Sequence, residues 1–251
     1  MNIAHWGIVD GNDLVSDRIT NSCVLLNDFQ CAGYSLNGLK SEHLQILRHG
    51  RISSGNVKVM IGVGTGLGVS FATEVEGLYV PCSSEAGWVQ FSPQTSIDSE
   101  LMAYVQKANG WASLGFEQVC SGRAISMVYD FICQRNGKES DNKTPDKICS
   151  SFKVCPNSRM AVQLTLGYLG RFISQLSLIF KPMGGFFLCG GLMDRLRPII
   201  EEDSSFENGL DTQPASILTD IANGPSIFYI SVPDVGLIGA RESCYAFKNI
   251  K

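Results

Sequence analysis

A glycine-rich stretch, IGVGTGLGVS at residues 61–70, has the residue types and spacing of an anion site. Glycine stands at every second position from Gly62 to Gly68, and Thr65 lies among them. The spacing matches neither a P-loop, since no lysine follows, nor the dinucleotide fingerprint, whose last glycine is absent. Bare backbone N–H groups beside a threonine hydroxyl suit a phosphate, whereas a plain tight turn uses glycines in the same way. These residues alone leave both interpretations open.

Three acidic residues stand where a predicted strand ends or a helix begins. Asp28 follows the apolar run VLL and Asn27 and precedes a predicted helix, so it is either a helix cap or a placed general base. Glu85 lies in the loop SSEAGW, where a solvated acid is the ordinary alternative to a ligand. Glu117 opens a short helix, and a carboxylate there also favours the helix dipole. Each alternative stays open.

A glycine pair, Gly190-Gly191, separates a predicted strand from a predicted helix. Such a pair serves as a turn in many proteins. A strand end that faces a helix N-terminus is also where nucleotides commonly bind. The residues do not decide between these uses.

Hydrophobic periodicity predicts the elements that would position these residues. Alternation in VKVMIGV and VSFATEV predicts a hairpin around the glycines. Other predicted strands lie at 23–26, at 78–84 with a possible extension at 89–91, at 184–189 and at 226–233. Predicted helices follow Asp10 or Asn12 and lie at 29–36, 97–108, 115–120, 122–135, 143–150, 156–180, 191–196 and 236–250, while 37–56 is predicted as loop with a weak helical piece. Strand and helix alternate in both halves, which predicts an α/β core with a mixed sheet.

Composition and charge narrow the classes of function. The chain has 251 residues, of which 44% are hydrophobic and 18% charged, as in ordinary globular proteins. The net charge of −4 argues against a nucleic-acid partner. There is no apolar run of membrane length and no signal-peptide pattern, which predicts a cytoplasmic protein without a membrane partner. Nine cysteines without a C-x-x-C pair and only three histidines fit free thiols and argue against a protein-held metal.

Six motifs, taken in order, resemble the bacterial-type glucokinases of the hexokinase family. They are VLLNDF (24–29), GVGTGLGVS (62–70), VPCSSEAGWVQFSP (80–93), FEQVCSG (116–122), GGFFLCGGL (184–192) and GLIGA (236–240). Each motif is weak alone, but together they cover nearly the whole chain. The resemblance implies an α/β actin-like ATPase (ribonuclease H-like) fold. It also implies ATP-dependent phosphorylation of D-glucose to glucose 6-phosphate, the first step of glycolysis.

The resemblance implies a role for each candidate residue. Asp28 would be the catalytic base that accepts the proton of the attacking sugar hydroxyl. The substrate-binding residues would be Asn27, Glu85, Trp88 and Glu117, and the nucleotide-binding residues Gly64, Thr65, Gly66, Gly190 and Gly191. Mg²⁺ would bridge phosphate oxygens of ATP, with no metal-binding residue assigned in this chain. Family members often form homodimers.

Two departures from the family pattern bear on function. Trp88 stands where the family has a histidine that contacts the sugar, and an indole N–H donates but cannot accept. The family's leading Asp-x-Gly-Gly-Thr-Asn phosphate hairpin has no counterpart here, which predicts a fragment with a truncated small domain. The predicted division is residues 1–38 as remnant of the small sugar-binding domain, 39–232 as large domain and 233–251 as returning helix. A sugar-binding regulatory pseudokinase and a kinase for another hexose are the alternatives.

Overall fold

A six-stranded mixed sheet is the centre of the fold in the computed structural model, which describes residues 10–53, 56–212, 218, 221 and 223–249. Its strands are β1 (Leu44–Arg48), β2 (Lys58–Val63), β3 (Leu67–Val75), β4 (Leu78–Ser84), β5 (Phe186–Cys189) and β6 (Ile227–Ile230). Their order across the sheet is β1-β6-β5-β2-β3-β4. The strands β2, β5 and β6 run parallel, while the β2–β3, β3–β4 and β1–β6 pairs are antiparallel. The predictions of an α/β core, a mixed sheet and a glycine hairpin are confirmed.

Helices connect and cover the strands. They are α1 (Gly11–Ser16), α2 (Asp28–Tyr34), α3 (Ser96–Asn109), α4 (Gly122–Arg135), α5 (Pro145–Ser150), α6 (Pro156–Phe180), α7 (Gly191–Ile200), α8 (Ser205–Leu210) and α9 (Val235–Asn249). Short 3₁₀ turns lie at Ser35–Asn37, Ser41–His43, Ala86–Trp88 and Phe116–Gln118. The long helix α6 has the bounds that its apolar spacing predicts. None of the described helices is long and apolar enough to cross a membrane.

Apolar side chains fill both faces of the sheet. The larger core lies between one face and helices α3 to α8, and it includes Val59, Ile61, Leu101, Ile132 and Phe172. A smaller cluster on the other face joins Ala32 of α2 to Met60 of β2 and Phe187 of β5. Helix α9 lies on α2 so closely that a Cβ atom at Gly239 would overlap with the backbone of Cys31. The sheet is therefore the middle layer, with α2 and α9 on the side opposite to α6.

The predicted buried strand at 23–26 is wrong. These residues form no strand in the described structure, and Val24 and Leu25 expose 58% and 57% of their surface. An apolar, β-branched run forms a strand only when a neighbour pairs with its backbone, and none of the described strands does so. Asp28 therefore follows a largely exposed segment outside the sheet and not the end of a sheet strand.

Two other predictions of local structure need correction. Residues 37–56, predicted as loop, contain the strand β1, which pairs antiparallel with β6 at the sheet edge. Its sequence LQILR does not alternate strictly between apolar and polar residues, because Gln45 and Arg48 stand among the apolar ones. An edge strand tolerates such polar residues. Residues 89–91 do not extend β4. Gln90 instead forms an isolated antiparallel bridge with Gly115.

A buried ion pair joins α3 to α6. Asp98 of α3 accepts a hydrogen bond of 2.9 Å from the guanidinium of Arg171, and the two side chains are 3% and 8% exposed. The Tyr168 hydroxyl donates to the same carboxylate at 3.0 Å, and the backbone N–H of Gln94 donates at 3.0 Å. Burial opposes ionisation of Asp98, but the bond from Gln94 and the Arg171 charge outweigh it and lower its pKa.

Candidate active site at the glycine hairpin

The turn Gly64-Thr65-Gly66 connects β2 to β3 and forms the tip of the hairpin. Its geometry is fixed by backbone bonds: the Gly64 N–H donates to the Gly66 carbonyl at 3.0 Å, and the Gly64 carbonyl accepts from the Gly122 N–H at 2.7 Å. Gly122 is the first residue of α4, so the turn rests against that helix N-terminus. Thr65 is exposed at the tip. The turn therefore presents a hydroxyl and backbone in a rigid frame.

Helix α2 begins directly over the hairpin. The ring of Phe29 lies on the β2–β3 ladder at the facing pair Gly62 and Gly68, where a Cβ atom at either glycine would overlap with the ring. Asn27 is the N-cap of α2, and its side-chain oxygen accepts from the N–H groups of Phe29 and Gln30 at 3.0 and 3.2 Å. Asp28 is the exposed first residue of the helix, so the capping role falls to Asn27. Among the described hydrogen bonds, the Asp28 carboxylate accepts only the Phe29 N–H, at 2.9 Å.

A first testable prediction concerns this contact. Replacing Gly68 by alanine forces the Phe29 ring away from the ladder, since the new methyl group and the ring cannot share the space. Overpacking of this kind costs about 1–3 kcal/mol, so we expect a lower midpoint of thermal unfolding. Gly236→Ala is the matched control, because a Cβ atom there meets nothing within 4 Å. Equal unfolding midpoints for both variants would contradict the contact.

Glu117 is tied to the same hairpin. Its carboxylate accepts a hydrogen bond of 2.9 Å from the backbone N–H of Leu67, at the start of β3. The other carboxylate oxygen lies 3.6 Å from the guanidinium of Arg123, and the Glu117 side chain is only 16% exposed. One oxygen of Glu117 is therefore committed to the backbone, and the carboxylate still has unused acceptor capacity for a ligand.

The Glu85–Trp88 turn reaches the hairpin from the other side. Gly87 packs so closely on the Leu67 carbonyl that a Cβ atom there would overlap with it. The chain then runs beside the Glu117 segment, where the Phe116 N–H donates to the Val89 carbonyl at 3.1 Å. Glu85 is exposed at the start of the turn, and 56% of the surface of Trp88 is exposed. The structure thus places Glu85, Trp88 and Glu117 on adjoining segments.

Gly190 and Gly191 lie at the neighbouring strand end. Because β5 runs parallel to β2, the carboxyl ends of both strands share one edge of the sheet. Gly190 has a φ of 108° and packs on β2, where a Cβ atom would lie 2.7 Å from the Val63 carbonyl oxygen. Helix α7 starts at Gly191 without a side-chain cap. Its first N–H groups are therefore available to an anion beside the glycine turn.

Arg123 is a residue of this site that the sequence reasoning missed. Its guanidinium donates to the Thr65 carbonyl at 3.2 Å and approaches Glu117, while 77% of its side chain stays exposed. No motif signalled it, since a single arginine after Ser121-Gly122 fits any exposed first turn of a helix. Its guanidinium therefore supplies a positive charge beside the exposed backbone of the turn Gly64-Thr65-Gly66.

The arrangement offers two kinds of chemistry at one sheet edge. The glycine turn, the α7 N-terminus and Arg123 favour a phosphorylated ligand. Asn27, Asp28, Glu85 and Glu117 offer amide and carboxylate groups that suit a ligand rich in hydroxyls. Nearby, burial and then the Asp28 charge raise the pKa of the Cys31 thiol, which keeps that group neutral. In the described part of the chain no three His, Cys, Asp or Glu side chains group as a metal site.

Comparisons with known proteins identify the family of this chain. The family model for glucokinase matches residues 1–246. The chain belongs to the glucokinase family. A glucokinase from Mesorhizobium japonicum is 28% identical over 234 residues, which are 92% of this chain and 67% of that protein. The resemblance stated from the six motifs is confirmed.

Solved glucokinases share the fold. The crystal structure of a glucokinase from an Antarctic psychrotroph superimposes with a TM-score of 0.77 at 21% identity, over 88% of this chain and 68% of the other. A glucokinase from Balamuthia mandrillaris, solved in complex with glucose, gives a TM-score of 0.74 at 19% identity, over 86% and 63%. The actin-like ATPase fold is confirmed. The chain spans about two thirds of the length of these glucokinase relatives.

Proposed function

We propose that this chain carries the sugar and nucleotide sites of an ATP-dependent glucokinase that converts D-glucose to glucose 6-phosphate. The observation that supports this most directly is the convergence of three segments on one hairpin. Phe29 of α2 packs on the hairpin, Glu117 accepts from the Leu67 N–H, and the Gly122 N–H of α4 donates to the hairpin turn. All three segments therefore contact residues 62–68. A hydroxyl-binding set and a phosphate-binding turn thereby meet at one place. The reaction would be the first step of glycolysis, in the cytoplasm.

Asp28 is the proposed general base. Phosphoryl transfer requires the acceptor hydroxyl to be aligned with the γ-phosphate, and a carboxylate receives the hydroxyl proton. The Asp28 carboxylate is exposed beside the hairpin, and its only backbone partner is the adjacent N–H of Phe29 at 2.9 Å among the described hydrogen bonds. It therefore keeps acceptor capacity for the sugar O6 hydroxyl. The attacking oxygen then forms the new P–O bond as ADP leaves.

Sugar recognition is assigned to Asn27, Glu85, Trp88 and Glu117. Carboxylate oxygens accept hydroxyl donors, and Glu117, whose orientation is fixed by the bond from the Leu67 N–H, would distinguish hydroxyl positions on the ring with its remaining acceptor capacity. Trp88 offers an indole N–H and an apolar face in place of the family's histidine. The alternative of a kinase for another hexose rests on this exchange.

The phosphates of ATP are assigned to Gly64, Thr65 and Gly66, with Arg123 beside them, and the adenosine to Gly190-Gly191. Mg²⁺ would come with the nucleotide. In kinases Mg²⁺ is commonly held chiefly by substrate phosphate oxygens and water. The ion would neutralise charge that develops on the transferred phosphoryl group.

The division into residues 1–38, 39–232 and 233–251 stays a proposal, with hinges near Gly38 and Asp234. Asp234 has a φ of 58°, an uncommon value for a residue with a side chain, at the start of α9. Cleft closure about these points would exclude water from the reaction. Residues 1–9 of the proposed small domain lie outside the described residues. Homodimer formation, also proposed, is measured by light scattering.

The proposed function is tested with the purified chain, D-glucose and Mg-ATP, by coupling glucose 6-phosphate to its dehydrogenase. We expect NADPH formation that requires all three components. A folded chain that binds glucose but gives no product would support the pseudokinase alternative. A folded chain that binds neither glucose nor ATP would contradict the proposal outright.

Thr65→Ala is predicted to weaken ATP-dependent turnover more than glucose binding. The variant removes a hydroxyl from the tip of the turn, and a hydrogen bond to a charged group contributes about 1.5–3 kcal/mol. We therefore expect KM for ATP to rise about tenfold or more, while the Kd for glucose by calorimetry changes little. Thr73→Ala, an exposed threonine further along β3, is the matched control. Equal losses in both measurements would mean that the turn is structural.

A further inference from the structure

A cavity of about 500 Å³ lies beside Trp88, between the segments around residues 88–90 and 110–118. Two indoles, Trp88 and Trp111, line it, together with the side-chain amides of Gln90 and Gln118. The remaining lining comes from small residues and from Leu114, which is 2% exposed and lies at the base. Of these lining residues, only Trp88 belongs to the proposed glucose site, and none belongs to the proposed ATP site.

The walls of the cavity are held in place by backbone and side-chain bonds. The Gln106 amide donates to the Ala112 carbonyl at 2.8 Å, and this ties the Trp111 loop to the end of α3. On the other side, the Phe91 N–H donates to the Leu114 carbonyl at 2.7 Å. Gln90 bridges to Gly115 in the same segment. The cavity is therefore bounded by two segments that are fixed to each other.

The lining chemistry points to a neutral ligand with an apolar face and hydroxyl groups. Trp88 and Trp111 expose 56% and 41% of their surface, so both indoles have area that a bound ligand would cover. The lining contains no charged side chain, so a phosphate or a nucleotide finds no counter-charge there. A pyranose ring presents C–H groups on its face and hydroxyls at its rim, which match indole faces and glutamine amides respectively.

We propose that this cavity is a carbohydrate subsite that binds a second pyranose ring on Trp88 and Trp111. It is distinct from the phosphoryl-acceptor pocket, since it shares with that pocket only Trp88 at the turn. The indoles bind the ring faces, and Gln90 and Gln118 donate to ring hydroxyls.

The test is ¹⁹F NMR of the whole chain with its three tryptophans replaced by 5-fluorotryptophan. Methyl α-D-glucopyranoside is the probe, and sorbitol, which has the hydroxyls without a ring face, is the matched control. Each resonance is assigned with a single Trp→Phe variant. We expect the pyranoside to shift the Trp88 and Trp111 resonances with one common saturation curve, and sorbitol to shift neither. No nucleotide is present, so the result does not depend on phosphoryl transfer.

Substitutions at the cavity separate recognition from general packing. Trp111→Ala should weaken pyranoside binding at least tenfold, as reported by the Trp88 resonance, whereas Trp111→Phe, which keeps an aromatic face, should retain most of it. Gln90→Leu, of similar size, should also weaken binding. Circular dichroism confirms that each variant is folded. A Trp88 shift without a Trp111 shift, an equal response to sorbitol, or no shift up to the solubility limit of the sugar would each overturn the subsite.

Discussion

Replacing Asp28 by asparagine is expected to lower kcat for glucose phosphorylation about 10²- to 10⁴-fold, the usual contribution of a general base. The substitution removes the basic group but keeps the local hydrogen bond. Asparagine keeps a side-chain oxygen that accepts the Phe29 N–H, a bond of 2.9 Å in the native protein, so the start of α2 is preserved. What is lost is a group that can take the proton of the attacking hydroxyl. Steady-state kinetics with the coupled assay give kcat, and calorimetry gives glucose affinity, which should change little.

The control for Asp28 is Asp17→Asn, another exposed acid at a helix end, which should leave kcat unchanged. Retention of kcat within about tenfold in the Asp28 variant would fall below the range for general-base loss. That outcome would leave Asp28 as a residue of the helix start without a catalytic role. A parallel loss of glucose affinity would indicate a binding role instead.

Asp98→Ala is expected to have the largest effect on stability. The variant leaves the Arg171 guanidinium buried without its carboxylate, and breaking a buried pair by removing one partner costs about 3–5 kcal/mol. It also removes the acceptor for the Tyr168 hydroxyl and for the backbone N–H groups of Gln94 and Thr95, just before α3. The free energy of unfolding is measured by urea denaturation at neutral pH.

Glu100→Ala is the matched control because Glu100 lies on the same helix as Asp98 and also forms an ion pair, but an exposed one. Glu100 bonds to Arg135 at 2.8 Å, but the two side chains are 46% and 39% exposed, and such pairs contribute about 0–1 kcal/mol. Similar losses for the two variants would contradict the importance of burial at Asp98.

The Asp98 contribution also has a predicted pH dependence. The folded protein lowers the pKa of Asp98, so the unfolded chain takes up the proton at higher pH than the folded chain does. The stabilisation is therefore fully present above the ordinary aspartate pKa, about 3.9, and is lost as pH falls through the lower folded-state value. The difference in unfolding free energy between the native protein and Asp98→Ala should shrink over that acid range.

The sequence was sufficient for elements whose apolar pattern is long or regular. The hairpin of β2 and β3 follows from strict alternation on both sides of the glycines, and α6 follows from helical spacing over 25 residues. The predicted bounds of α4 also match the structure. In each case the pattern reports a face that packs against the larger core, so local sequence and tertiary packing agree.

The wrong predictions of local structure occur where strand pairing or a long-range contact determines the conformation. Residues 23–26 have strand composition but no strand partner in the described structure, and β1 has mixed composition but gains β6 as partner. The site shows the same limit. Types and spacing single out Glu117, but not that the Leu67 N–H orients it or that Arg123 joins it. Those contacts join residues about fifty positions apart or lack a motif, so no local rule reveals them.

In the proposed mechanism, sugar and phosphate meet at the tip of the glycine hairpin. A crystal structure of the chain with D-glucose and a non-hydrolysable ATP analogue tests this directly. We predict the glucose O6 within hydrogen-bond distance of the Asp28 carboxylate, and the γ-phosphate on the backbone of residues 64–66. A sugar bound away from Asp28, or phosphates bound away from the glycine turn, would contradict it.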